Sequence, residues 1–273
     1  MIPAPFDYVR AGSAEEAIAA LGEHGDDAKL LAGGMSLLPL MKFRLATPAV
    51  LVDVGRLRDL SYVRDAGDHL AVGALTRHRD LETSELLARQ CGSLRAVAAE
   101  VGDNQVRHRG TIGGSVAHGD PASDLPALLL ALDATFVIRG TGGDRTVEAR
   151  DFFHGFLETA LEPDELLTEI RVPKLPGAGY SYQKFNRRAQ DWATVGAIAV
   201  RNGETRVALV NMASTPVRAT GVEEALAGGA SPAEAAERAA EGTEPPGDLN
   251  ATPEYREHLA RVLVRRALEA ASR

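Results

Sequence analysis

Two glycine pairs govern the reading of this chain. Gly113 and Gly114 lie in the run Arg109-Gly110-Thr111-Ile112-Gly113-Gly114-Ser115-Val116-Ala117-His118-Gly119-Asp120-Pro121-Ala122-Ser123-Asp124-Leu125-Pro126-Ala127. Gly33 and Gly34 lie in Lys29-Leu30-Leu31-Ala32-Gly33-Gly34-Met35-Ser36-Leu37-Leu38-Pro39. Glycine reaches backbone angles closed to other residues and presents no side chain to block a ligand, so each pair is predicted to be a turn. Ser36 with Pro39, and Ser123 and Asp124 with Pro126, carry the signature of a helix opening: a hydroxyl or carboxylate cap, then proline in the first turn. Amides turned outward beside a helix start form an anion seat. A lone Gly-Gly is ordinarily a plain turn. Its recurrence 80 positions later, again beside a helix signal, predicts one extended, charged ligand gripped from two sides.

Composition narrows the classes. A chain of 273 residues is expected to fold as two or three packed units. The formal charge of −8 argues against a nucleic-acid partner held through phosphates and suits a soluble protein. Cys91 is the only cysteine, so the chain can neither close an internal disulfide nor hold an iron–sulfur cluster or a structural zinc by itself. The opening Met1-Ile2-Pro3-Ala4-Pro5-Phe6 lacks a basic region followed by an apolar run, so no signal peptide is read. No apolar span approaches the roughly 20 residues of a membrane helix. A cytoplasmic, reducing compartment is expected.

Along the chain, Ser13 and Glu16 predict a capped amphipathic helix over 13–24. Leu30-Leu31-Ala32 and Val50-Leu51-Val52-Asp53-Val54 read as strands flanking a short helix over 36–45. No G-x-G-x-x-G follows a strand and opens a helix, which disfavours a Rossmann nicotinamide domain. A hairpin is expected around Asp65-Ala66-Gly67-Asp68, then a helix over 80–88 capped by Thr76 or Asp80, and another over 92–101. Leu125 to Leu132 reads as a buried helix, 135–138 and 146–148 as strands, and 169–173 as an edge strand because Pro173 ends it. The segment 173–179, rich in proline and glycine, is the expected domain boundary. Beyond it come a strand over 180–185, a hairpin turning at Asn202-Gly203, and helices over 219–227, 231–241 and 252–271.

Taken one at a time, the polar candidates have plain roles. Ser36, Ser115 and Asp124 serve as caps, or as ligand contacts. His118 is more often a structural hydrogen-bonder than a catalyst. Lys184, beside Tyr182, Phe185, Arg187 and Arg188, reads by default as part of a solvated basic face. Its alternative is a cation beside an electron-accepting ring. Asp103, Arg107, His108 and Arg109 read as charge-balanced loop residues. There is no G-x-S-x-G nucleophile motif and no paired metal-ligand histidines. The chain is not equipped for hydrolysis or metal chemistry.

In combination the segments resemble the FAD-binding medium subunit of molybdenum hydroxylases, the carbon monoxide dehydrogenase and xanthine dehydrogenase family. Ala32 to Lys42 is similar to that family's first FAD segment, and Thr111 to His118 with Asp120 to Asp124 to its second. Gly73 to Thr76, Tyr182 to Phe185, Arg187 to Ala189 and Asp191 to Ala193 are similar to further signatures, so the likeness runs along nearly the whole chain. Met35 is a mild departure, since a polar residue often fills that slot. The resemblance implies an α+β fold: a vanillyl-alcohol-oxidase-like, PCMH-type FAD domain over 1–175, with subdomains 1–57 and 58–175. A C-terminal domain of small antiparallel sheet plus helices would cover 176–273. It implies non-covalent FAD, with Ala32, Gly33, Gly34, Met35 and Ser36, and Thr111, Ile112, Gly113, Gly114 and Ser115, cradling the pyrophosphate. His118 belongs to the second segment. Asp124 would contact the ribityl or ribose end, Leu161 the isoalloxazine or adenine surface, and Lys184 the pyrimidine edge of the ring.

The implied function is an electron-transfer subunit with no catalytic residue on organic substrate. The molybdenum cofactor would sit on a large partner and two [2Fe-2S] clusters on a small one, in a dimer of heterotrimers. A self-contained FAD reductase of the same superfold using NAD(P)H, and a flavin-free scaffold, are the competing readings.

Overall fold

The computed structural model describes residues 2–272. The chain opens with β1 (Asp7–Arg10), α1 (Ala14–His24), β2 (Ala28–Leu31), α2 (Leu37–Lys42) and β3 (Val50–Asp53). The three strands form a parallel sheet in the order β1-β3-β2. Ser13 caps α1 by accepting from the Glu16 N–H at 3.2 Å, and the Glu16 carboxylate reaches back to the Gly12 N–H at 2.7 Å. Ala17, Ile18 and Leu21 thereby face the sheet and are buried with Val50 and Val52. β1 went unread in the sequence because its short run is mostly exposed and carries no apolar pattern; backbone pairing to β3 defines it.

Next come β4 (Val63–Asp65), β5 (His69–Gly73), α3 (His78–Thr83), α4 (Glu85–Gln90), α5 (Gly92–Ala99), α6 (Asn104–Arg109), α7 (Ile112–His118), α8 (Asp124–Ala131), β6 (Thr135–Gly140), β7 (Gly143–Glu148), β8 (Phe153–Gly155), β9 (Glu158–Thr159) and β10 (Leu166–Pro173). β8 and β9 pair with each other. The main sheet is antiparallel, ordered β4-β5-β10-β6-β7. β10 is therefore its central strand, not the expected edge. Pro173 is tolerated because it is the last residue of the strand, where a missing N–H costs the ladder little. All eight residues of α8 are buried, and Leu125 and Ala127 to Ala131 join the core that residues of β5, β6 and β10 also enter, as the apolar run requires.

The remaining chain forms β11 (Gly179–Phe185), β12 (Val195–Asn202), β13 (Glu204–Val210), β14 (Val217–Arg218), α9 (Thr220–Ala227), α10 (Pro232–Ala236) and α11 (Pro253–Ala271). The four strands make a sheet in chain order, and Gly203 turns the β12–β13 hairpin at φ +77°. Alternate residues of β12 and β13 enter different cores. Val195, Ala197, Ala199, Val207 and Leu209 pack towards α11, whereas Ile198, Val200, Ala208 and Val210 join the α8 core. Both faces of this sheet are thus covered, which ties the C-terminal unit to the middle one. Among the described residues no helix is long and apolar enough to cross a membrane.

Candidate functional site

The site is framed by the turn after β5. The Gly113 N–H donates to Ala74 O at 2.8 Å, Ile112 N–H to Thr76 O at 3.1 Å, and His78 N–H to Gly110 O at 3.1 Å. The Arg77 guanidinium donates to the Arg109 carbonyl. Residues 74–78 therefore clamp the start of the second glycine segment. That segment is not the expected turn. It is α7, capped by the Thr111 hydroxyl, which accepts from the Gly114 N–H at 3.1 Å. Neither Gly113 nor Gly114 has a positive φ. Their absent side chains serve close approach instead. A Cβ on Gly113 would lie 2.5 Å from Ala74 Cβ, and one on Gly114 would lie 2.7 Å from Thr111 Oγ1.

The first segment leaves the carboxyl end of β2 and lies directly on the second. A Cβ on Gly33 would overlap the Arg109 carbonyl and come within 2.9 Å of Gly110 Cα. Gly34 does turn the chain, at φ +74°. The amides of the two segments differ. Ile112, Gly113, Gly114 and Ser115 all donate within the fold. Among the described residues, the N–H groups of Gly33, Gly34, Met35, Ser36 and Leu37 find no acceptor in the chain. Five successive free donors at the mouth of a helix are a strong attractor for an anion. Ser36 makes no side-chain cap bond, so its hydroxyl is free as well.

Between the segments runs a cleft of about 650 Å³, within the range of small-molecule sites, about 300–1,000 Å³. Every residue that the family resemblance assigns to the nucleotide lines it except Ile112, whose side chain is buried in the central core; Asp103, Arg107, His108 and Arg109 do not line it. Leu161 comes from the loop after β9. His118, half-buried at the end of α7, has its basicity lowered by burial, partly offset by Asp120.

Asp124 and Lys184 meet each other. Lys184 Nζ donates to Asp124 Oδ2 at 2.8 Å and to Glu100 O at 3.0 Å, while the Tyr182 hydroxyl donates to Asp124 Oδ1. The two charged side chains are 8% and 6% exposed, so Lys184 belongs to no solvated basic face. Asp124 is not a helix cap, and Ser123 makes no cap bond either. Burial raises the Asp124 carboxyl above its ordinary range, opposed by Lys184 and Tyr182, and holds the Tyr182 phenol well above its own. Tyr182 was legible as part of an alternating strand and of a family signature; its bond to Asp124 needed the fold to bring β11 to the start of α8.

The presumed loop Asp103–Arg109 is α6, capped by the Asp103 carboxylate accepting from Val106 N–H at 2.8 Å. Its charges are structural: Arg107 bonds Glu82 at 3.0 Å. The α3 helix begins at His78, with no side-chain cap from Asp80, while Thr76 Oγ1 accepts from the Tyr62 N–H. His78 lines the cleft and had no signal in the sequence. Asp191 and Trp192, from the loop between β11 and β12, line the cleft too. Among the described residues no cluster of His, Cys, Asp and Glu is able to hold a metal ion.

Residues 4–175 match the family model described as the FAD binding domain in molybdopterin dehydrogenase, and residues 180–271 match the CO dehydrogenase flavoprotein C-terminal domain. The chain is 44% identical to the carbon monoxide dehydrogenase medium chain of Hydrogenophaga pseudoflava, across 99% of this chain and 98% of the relative. It is 37% identical to the alpha subunit of the 6-hydroxypseudooxynicotine dehydrogenase complex of Paenarthrobacter nicotinovorans, across 99% and 96%. A solved carbon monoxide dehydrogenase from Hydrogenophaga pseudoflava, which lacks the Mo-pyranopterin moiety of the molybdenum cofactor, superposes with a TM-score of 0.96 at 44% identity, covering 100% of this chain and 99% of that one. The chain belongs to the family of CO dehydrogenase-type medium chains, in which the FAD-binding domain of molybdopterin dehydrogenases precedes a CO dehydrogenase flavoprotein C-terminal domain.

Proposed function

We propose that this chain is the FAD-carrying medium subunit of a molybdenum hydroxylase, and that the cleft between its two glycine segments holds the nucleotide without a covalent bond. When bound, the flavin supplies electron transfer between the [2Fe-2S] clusters of a small partner subunit, fed by the molybdenum cofactor of a large one, and an external acceptor. The observation that carries the reading is the row of five acceptor-free amides at Gly33–Leu37, pressed onto Gly110 where any side chain at Gly33 would collide. A diphosphate fits that donor set.

Gly33, Gly34, Met35 and Ser36 would bind the diphosphate through backbone amides and the Ser36 hydroxyl, with Ala32 leading in from β2. Thr111, Ile112, Gly113, Gly114 and Ser115 form the facing wall, where the positive end of α7 and the Ser115 hydroxyl favour an anion. Asp124 and Lys184 act as one buried pair and orient polar groups of the nucleotide, while Leu161 and His118 bound the cleft. The chain's own residues perform no chemistry on organic substrate. Relatives named for carbon monoxide and for 6-hydroxypseudooxynicotine lie at 44% and 37% identity, which fits a subunit that does not select the substrate. The domain division is 1–57, 58–175 and 176–273, and the assembly is a dimer of heterotrimers in the cytoplasm.

Isolation of the native assembly, with analysis of flavin, iron and molybdenum and sizing of the complex, tests the reading. One FAD per copy of this chain, with iron and molybdenum on co-purifying chains, is the expected result. A flavin-free assembly would refute it, and so would rapid flavin reduction of the chain alone by NADPH.

A further inference from the structure

We propose that His78 is a contact residue for the diphosphate bridge of the bound nucleotide, donating a hydrogen bond from its imidazole at the seam where the two glycine segments meet. The inference rests on the reading of this cleft as a flavin-nucleotide site. Three observations support it. The ring is 4% exposed, yet its Nδ1 has no hydrogen-bond partner, one of only two such buried side-chain atoms among the described residues. Buried polar atoms are almost always paired, so an orphan on a residue that lines the cleft calls for a partner that the chain does not supply. The ring also abuts the second glycine segment. A Cβ on Gly110 would fall 2.7 Å from His78 Cδ2 and 2.8 Å from Nε2, and Gly33 rests on that same Gly110. The second segment is thus packed directly on this imidazole and the first reaches it only through Gly110, while the ring itself lines the cleft. Finally, burial and the nearby Arg107 and Arg77 guanidiniums push its pKa down to about 4. At neutral pH the ring is uncharged and acts as a directional N–H donor, not as a counter-charge. If the position only filled space, an apolar side chain would fill it without an orphaned nitrogen.

The full chain in its purified assembly, stripped of flavin and titrated with FAD and with ADP, tests this. The variants are His78→Phe, which keeps the bulk, and His78→Gln and His78→Asn, which restore a donor near one ring nitrogen or the other. For the Phe variant, affinity for both FAD and ADP is expected to fall about tenfold or more, with the melting temperature close to the parent's. Either Gln or Asn should recover most of it. If the Phe variant does not fold, His78→Leu against His78→Gln, near-equal in volume, gives the same contrast. Unchanged FAD affinity in His78→Phe or His78→Leu overturns the proposal. Loss of FAD but not ADP affinity does so too, as does failure of both amides to rescue. Parent protein that binds neither FAD nor ADP would instead refute the function itself.

Discussion

The close contact between the two glycine segments makes Gly33→Ala the most informative single change in the cradle. The new methyl would stand 2.9 Å from both the Arg109 carbonyl carbon and Gly110 Cα. Carbon atoms rest at about 3.5–4.0 Å, so the segments must part by about 1 Å. Neither neighbour is a flexible side chain. Arg109 closes α6, and Gly110 is bonded on both sides, to Val106 O and from the His78 N–H. Overpacking of this kind costs about 1–3 kcal/mol. At roughly 2–4 °C per kcal/mol for a chain of this size, melting falls by no more than about 12 °C and the protein still folds. The binding loss is larger than the change in fold suggests, because the free amides of Gly33–Leu37 move with the segment. We expect FAD affinity to drop about tenfold to hundredfold, or about 1.4–2.8 kcal/mol. The assay is fluorescence titration of the deflavinated assembly with FAD, beside calorimetric melting. Parental affinity in a variant with a normal melting point would show that the seam does not shape the binding site, and the reasoning would fail.

Other outcomes follow from the same geometry. Asp124→Asn leaves Lys184 buried without its counter-charge and should cost about 3–5 kcal/mol, whereas Asp124→Asn combined with Lys184→Met should cost less than the sum of the two; additive losses in calorimetry would contradict the pairing. The Tyr62 hydroxyl donates to Glu169 at 2.7 Å, and burial with this bond raises its pKa from 10.0 to about 12. A folded pKa above the unfolded value gives stability that is complete below pH 10 and is lost as pH rises towards 12. Tyr62→Phe should therefore flatten the alkaline loss of stability, and an unchanged slope counts against the contact. Gly22 is interior to α1 with open space around its Cα, so Gly22→Ala should stabilise by about 0.5–1 kcal/mol; a lowered melting point would show that this face of α1 is occupied.

Much of the fold was written locally. The Ser13 cap, the apolar run of α8 and the Asn202-Gly203 hairpin are short-range signals, and each element stands where those residues place it. Errors arose where tertiary context decides. Pro173 marked the end of β10 correctly, but an end says nothing about which neighbours a strand takes, and β10 pairs on both sides. Gly113 and Gly114 read as turn residues because glycine reaches backbone angles closed to other residues. The structure keeps them helical, since only a missing Cβ lets α7 lie on Ala74. The candidate residues converge on one cleft, yet the seam that organises it was invisible. The Gly33–Gly110–His78 stack joins, contact by contact, positions 77 and 32 residues apart, with no periodicity to link them. The Asp124–Lys184 pair was likewise legible as two residues but not as one unit.

The central claim is that two segments poor in side chains clasp the diphosphate of a single flavin dinucleotide. It is tested most directly by the flavin content of the assembled protein after acid precipitation, compared between parent and a Gly34→Val, Gly114→Val double variant that retains the native far-UV spectrum. The account expects about one FAD per chain released into the supernatant from the parent, and almost none from the variant. Equal flavin release from both, or no flavin from the parent, would contradict it.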